Sequence, residues 1–149
     1  MSAVPGMPPI YISFLNRLDI EELKLTDDEI VGAVDRGLLA QGNKQTVIEP
    51  RVFLEPKAGQ IGHFNTLRGW IGGDINRAGV KVVSDYVDNY KHNLPSELAT
   101  LLLLDPAVGV PRAILDAGTI TDMRTGAVSA IGAKHLARKN SKILANIGA

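Results

Sequence analysis

Leu98-Ala99-Thr100-Leu101-Leu102-Leu103-Leu104 runs into Asp105-Pro106-Ala107-Val108-Gly109 and on into Val110-Pro111-Arg112-Ala113-Ile114-Leu115-Asp116. Two apolar runs of strand length stand either side of a turn built from Asp, Pro and Gly, so this stretch reads as a β-hairpin. Directly behind it, residues from Thr119 to about Arg138 read as a helix. Strands grouped along the chain and then a helix, without strict alternation of the two, point to an α+β domain with a mixed or antiparallel sheet.

Upstream, residues 80–86, 61–67 and 46–54 are further β-like segments. Turn chemistry separates them, at Asn93-Leu94-Pro95, Gly72-Gly73-Asp74 and Lys57-Ala58-Gly59. Before them, Thr26-Asp27-Asp28-Glu29 has the form of a capping box, in which hydroxyl and carboxylate satisfy each other's backbone N–H. Ile30, Val34 and Leu38 follow at helical spacing, which predicts an amphipathic helix over 27–41 ended by Gly42-Asn43. The fold thus has two main helices. Tyr11-Ile12-Ser13-Phe14 reads as an edge strand, and residues 1–9, with Pro5, Pro8 and Pro9, as a flexible leader. Residues 142–149 read as a buried strand ending on glycine.

The composition bounds the function. A chain of 149 residues, 45% hydrophobic and 21% charged, suits one globular domain with a sizeable core. Lys+Arg 16 against Asp+Glu 16 gives a net charge of +0, which favours neither nucleic acid nor an anionic membrane as partner. The absence of cysteine excludes disulfides and a thiolate nucleophile. Three scattered histidines do not suggest a metal site. The N-terminus has no basic region and no long apolar run, so it does not read as a signal peptide. No apolar stretch is of bilayer length, and a cytoplasmic location is the expectation.

Three cations stand out. Lys81 lies inside the apolar run Val80-Lys81-Val82-Val83, and a buried lysine is costly unless paired; it either faces solvent on a one-sided sheet or serves a site. Arg51, between Pro50 and Val52-Phe53-Leu54, reads by itself as an ordinary exposed strand arginine. Arg124 falls in the first turn of the second helix or just after it, where a cation opposes the helix dipole by roughly 0.3–1 kcal/mol. An anion-binding design gains from it there, since guanidinium and free backbone N–H groups can converge on one carboxylate or phosphate. The same helix carries Gly126, Ala127, Ser129, Ala130, Gly132 and Ala133, small residues that permit close packing or close approach of a ligand.

This helix carries a resemblance. Thr121-Asp122-Met123-Arg124-Thr125-Gly126-Ala127-Val128-Ser129-Ala130, followed by Lys134-His135-Leu136-Ala137-Arg138, resembles the T-x-x-R-T-x-A-x-S-A helix of ornithine cyclodeaminases and μ-crystallins. Ala78-Gly79-Val80-Lys81, then Asn89, then Leu94-Pro95-Ser96, is similar to the family's segment around its lysine, and 101–111 to its hairpin before the helix. The resemblance extends from about Leu18 to Ala149. It implies a substrate-binding and dimerisation domain over 10–140, forming a dimeric β-barrel with a second subunit. Residues 141–149 would be the first strand of a dinucleotide-binding Rossmann domain that the chain does not contain whole, with Gly148 the first glycine of its phosphate turn.

The resemblance further implies NAD or NADP as cofactor, expected only with that complete domain, and a small amino or imino acid as substrate. Arg51, Lys81 and Arg124 stand where the family binds the substrate carboxylate, and Lys81 is the candidate for proton transfer. Ser96, Glu97, Arg124 and Thr125 stand where the domain touches the dinucleotide. The implied activity is that of an NAD(P)-dependent oxidoreductase or cyclodeaminase at the Cα–N bond; the other reading is a crystallin-type dimerisation and binding module without turnover, inactive as the isolated chain. Asn65 stands where ornithine cyclodeaminases carry a glutamate, and an amide cannot act as a carboxylate base. Leu67-Arg68 also replaces the family's Met-Pro. Both departures move the reading from ornithine cyclisation toward imine reductases and amino-acid dehydrogenases, including those of diaminopropionate metabolism.

Overall fold

A computed structural model describes residues 8–57, 59 and 61–147. The chain runs through β1 (Ser13–Leu15), α1 (Arg17–Glu22), α2 (Asp27–Gly42), β2 (Thr46–Ile48), β3 (Val52–Leu54), β4 (His63–Ile71) and β5 (Arg77–Asp85). A 3-10 turn (Val87–His92) then leads to β6 (Glu97–Leu104), β7 (Pro111–Asp116) and α3 (Gly118–Leu136). The strands form one mixed sheet in the order β1-β7-β6-β5-β4-β2, with β3 also pairing to β4. Only β1 and β7 run parallel; the other pairs are antiparallel. The architecture is α+β, and the sheet is open.

The hairpin forms as its sequence predicts. Asp105 Oδ1 accepts the N–H of Ala107 at 2.9 Å, and Gly109, at φ +70°, takes the left-handed conformation that closes the turn. The capping box on α2 also forms. Thr26 Oγ1 accepts from the Glu29 N–H at 3.3 Å, while Glu29 Oε2 accepts the Thr26 N–H at 2.8 Å.

Four expectations are corrected. The segment over 46–54 is two strands, because Pro50 has no N–H to give a ladder; β2 and β3 lie end to end along opposite halves of β4. β4 continues past residue 67 to Ile71, since nine consecutive pairings with β5 outweigh the weak strand preference of Gly69. The helix α1 was not visible in the apolar pattern, being only six residues long; Asn16 caps it, its Oδ1 accepting the Leu18 N–H at 2.8 Å. Residues 142–147 carry no strand and are exposed, with no described strand beside them to complete a ladder. The leader's first seven residues and Gly148 lie outside the described residues.

Side chains alternate across a strand, so the register sorts the sheet into two faces. One face lies under the helices. Val83, Ala99 and Ala117 are buried there, with Leu67 and Leu101 packed against them, and Thr121, Ala127 and Ile131 mark the buried side of α3. The other face carries Val80, Val82, Leu98 and Leu102 in neighbouring register and stays open, with Val82 40% and Leu98 42% exposed.

Candidate functional site

Lys81 sits at the centre of β5, in a cross-strand row with Leu67, Leu101 and Leu115. Its partners Leu67 and Leu101 pack into the core under the helices, so the solvent-facing alternative for Lys81 does not hold. The ammonium Nζ donates to Thr121 Oγ1 at 3.1 Å, and that hydroxyl in turn donates to the Ala117 carbonyl at 2.6 Å. No carboxylate forms an ion pair with Lys81 among the described residues. Burial pushes its pKa below the ordinary lysine value, and the nearby charge of Arg124 pushes the same way, while Glu97 pulls weakly against them. A half-buried cation repelled by a second cation favours an anionic guest.

Arg124 lies on α3 one turn beyond Thr121, exposed and without a hydrogen-bond or ion-pair partner among the described residues. The helix starts at Gly118, beside the expected Thr119, and the Gly118 N–H is accepted by Asp116 Oδ1 at 3.0 Å. Arg124 is therefore in the second turn, beyond reach of the free N–H groups at the helix start, and acts through its own guanidinium. It borders a cleft of about 540 Å³ between α2, α3 and the β2/β4 edge of the sheet, whose walls include Ile30, Val34, Leu38, Ile71, Ile120 and Met123. That volume falls within the roughly 300–1,000 Å³ of small-molecule sites.

The structure brings Lys81 and Arg124 within electrostatic reach of each other, with Arg51 two strands away in the row of Lys81. Arg51 is exposed in the link between β2 and β3. The register of β3, continued one residue toward its start, sets Arg51 level with Leu67, the cross-strand neighbour of Lys81. Ser96 and Glu97 enter β6 at the sheet end and are exposed; the Ser96 carbonyl accepts the Tyr86 N–H at 2.8 Å. Thr125 is exposed, and its hydroxyl donates to the Thr121 carbonyl at 2.7 Å.

Two groups acquire their surroundings only in three dimensions. Thr121 is the residue that orients Lys81, and the signal available in sequence was its place three residues before Arg124 on one helix face. Asn65 pairs with Val83 and Phe53 across the sheet, and its Oδ1 is buried without a hydrogen-bond partner. An orphaned buried acceptor costs about 1–3 kcal/mol and is uncommon in a finished core.

Comparison with known proteins converges on one family. The model of the ornithine cyclodeaminase/mu-crystallin family matches residues 12–149. The N-((2S)-2-amino-2-carboxyethyl)-L-glutamate dehydrogenase of Staphylococcus aureus is 34% identical over 140 residues, covering 91% of this chain and 42% of its own. The structure of Thermococcus litoralis Delta(1)-pyrroline-2-carboxylate reductase in complex with NADH and L-proline superposes with a TM-score of 0.81 at 37% identity, over 88% of this chain and 40% of the other. An archaeal alanine dehydrogenase dimer with bound NAD gives 0.79 at 32% identity, over 87% of this chain and 38% of the other. The chain thus spans about two fifths of the length of the relatives it matches.

Proposed function

The chain belongs to the ornithine cyclodeaminase/mu-crystallin family, and we propose that it is the substrate-binding part of an NAD(P)-dependent oxidoreductase or cyclodeaminase acting at the Cα–N bond of a small amino or imino acid. The observation that carries this is the pair Lys81 and Arg124. Two cations stand close enough to repel, neither holds a carboxylate, and both are near a cleft of ligand size. A substrate carboxylate relieves that repulsion, and the planar guanidinium of Arg124 suits bidentate capture. Arg51 joins from the β3 side.

With the carboxylate held, Lys81 Nζ is the group placed to give or take a proton at the substrate nitrogen or Cα. Burial and Arg124 lower its pKa toward the working range of an acid–base catalyst, and Thr121 keeps the ammonium aimed. Asn65 supplies an amide where a cyclodeaminase would need a carboxylate, which supports an imine reductase or amino-acid dehydrogenase over ornithine cyclisation. Ser96, Glu97, Arg124 and Thr125 are exposed, and in this reading they meet the edge of a dinucleotide. When bound, the nicotinamide would donate or accept the hydride.

Residues 10–140 form the substrate and dimerisation domain in this reading, and 141–149 lead into the dinucleotide-binding domain, with Gly148 in its phosphate turn. In this reading the open sheet face around Val82 and Leu98 meets a second copy and closes into a shared barrel; the exposed apolar side chains there, set among Thr66, Ser84 and Thr100, support it.

Titration of the chain with L-alanine or L-proline, followed by amide chemical shifts, tests the carboxylate assignment. Arg124→Ala is expected to weaken binding by about tenfold or more, the loss of one charge-assisted pair. Unchanged affinity would sink the clamp.

A further inference from the structure

We propose that the cleft between α2 and α3 holds the substrate's side chain, and that the acid this domain selects therefore carries an apolar side chain of several carbons, branched aliphatic or aromatic. The inference rests on the carboxylate reading of Lys81 and Arg124 and adds the substrate class.

Three observations support it. The walls are aliphatic apart from Glu29, Gln41, Thr46 and Arg124. Glu29 is already committed, since its Oε2 accepts both the N–H and the hydroxyl of Thr26, at 2.8 and 2.9 Å. A side-chain ammonium entering the cleft would find no uncommitted carboxylate, and a second carboxylate would compete with the first for Arg124. An apolar group meets Ile30, Val34, Leu38, Ile71, Ile120 and Met123, and displaces water from them favourably.

The cleft is also joined to the cations. Arg124 forms part of its rim. Beneath, the row next to Lys81 on the covered face is Gly69 paired with Gly79, flanked by Ile48 of β2. Neither glycine carries a side chain, and the groups that lean over them are apolar: Leu101 and Leu103 come within 3.6 Å of where a Gly79 Cβ would stand, and Ile48 within 3.8 Å at Gly69. A ligand anchored by its carboxylate at Lys81 and Arg124 can lay its side chain along this low apolar row toward the cleft.

Gly37 offers a clean test. It lines the cleft from the interior of α2, and a Cβ built there meets nothing within 4 Å. Gly37→Phe should fill the cleft while improving helix propensity, so the fold is preserved. The chain, its Gly37→Phe variant and its Arg124→Ala variant are titrated with L-leucine, L-alanine and L-ornithine, again by amide chemical shifts. Leucine is expected to bind about tenfold or more tighter than alanine or ornithine, as a few methylenes in an apolar pocket allow. Gly37→Phe should erase that advantage and leave alanine unchanged, whereas Arg124→Ala should weaken all three acids alike. If Gly37→Phe leaves leucine's advantage intact, or ornithine matches leucine, the cleft assignment falls while the carboxylate reading stands. If Arg124→Ala changes nothing, or no acid binds, the carboxylate reading falls and takes this proposal with it.

Discussion

Lys81 is held under a helix by one hydroxyl and no ion pair among the described residues, and that environment has a consequence for stability. Burial and Arg124 lower its pKa in the folded chain, whereas the unfolded chain keeps the ordinary value near 10.4. Between the lowered and the ordinary pKa the unfolded state binds more protons than the folded one. Stability contributed by this group therefore rises with pH across that window and is lost as pH falls through the folded pKa. Lys81→Met removes the titration. Urea denaturation at a series of pH values should show the wild type gaining on Lys81→Met as pH climbs toward the lysine range; parallel curves would mean the ammonium is not held as described. Sequence placed Lys81 in an apolar strand but left its face open, because period-2 alternation distinguishes two faces without saying which one a helix will cover.

At the scale of elements, α2 and α3 begin by different means. The N-terminus of α2 is closed by its own side chains, Thr26 and Glu29, whose carboxyl sits below the ordinary range because the Thr26 backbone and hydroxyl both donate to it. Thr26→Ala should cost about 1 kcal/mol, read as a lowered urea midpoint at unchanged slope; a shift within error would show that the cap is idle in solution. The N-cap residue of α3, Ala117, has no side-chain cap to offer, so the helix start relies on Asp116, which accepts the Gly118 N–H, and on the Ala117 carbonyl, which accepts the Thr121 N–H at 2.9 Å. A four-residue box is legible in sequence because all its partners are local. The start of α3 depends on where β7 ends, which is why sequence left Arg124 between the first turn and the one after it, and the structure sets it in the second. Likewise, Pro50 within 46–54 signalled a break that the apolar pattern on either side concealed.

For the whole molecule, the sheet is the organising surface. Its covered face carries Lys81 and lies under the helices, and its open face leaves Val82 and Leu98 exposed. An aspartate at Val82 should leave the monomer's core untouched, because the side chain already meets solvent, yet place a charge in the proposed dimer contact. Sedimentation equilibrium should therefore find a concentration-dependent dimer for the wild type and a monomer for Val82→Asp. A wild-type monomer at all concentrations would refute the shared barrel. Among the described residues no helix is long and apolar enough to cross a membrane.

The features legible in the chain alone are local or motif-borne. The hairpin, the α2 box and the arginine helix follow from turn residues, i to i+3 partners and a run of family-specific positions, all within a few residues of one another. The features that require the folded molecule are relational. The Lys81–Thr121 bond spans forty residues of chain. The orphaned oxygen of Asn65, the bare Gly69–Gly79 row and the meeting of Arg124 with the α2 cleft likewise come from elements distant in sequence. Such contacts depend on which sheet face a helix packs against and in what register the strands pair, and no local pattern encodes either.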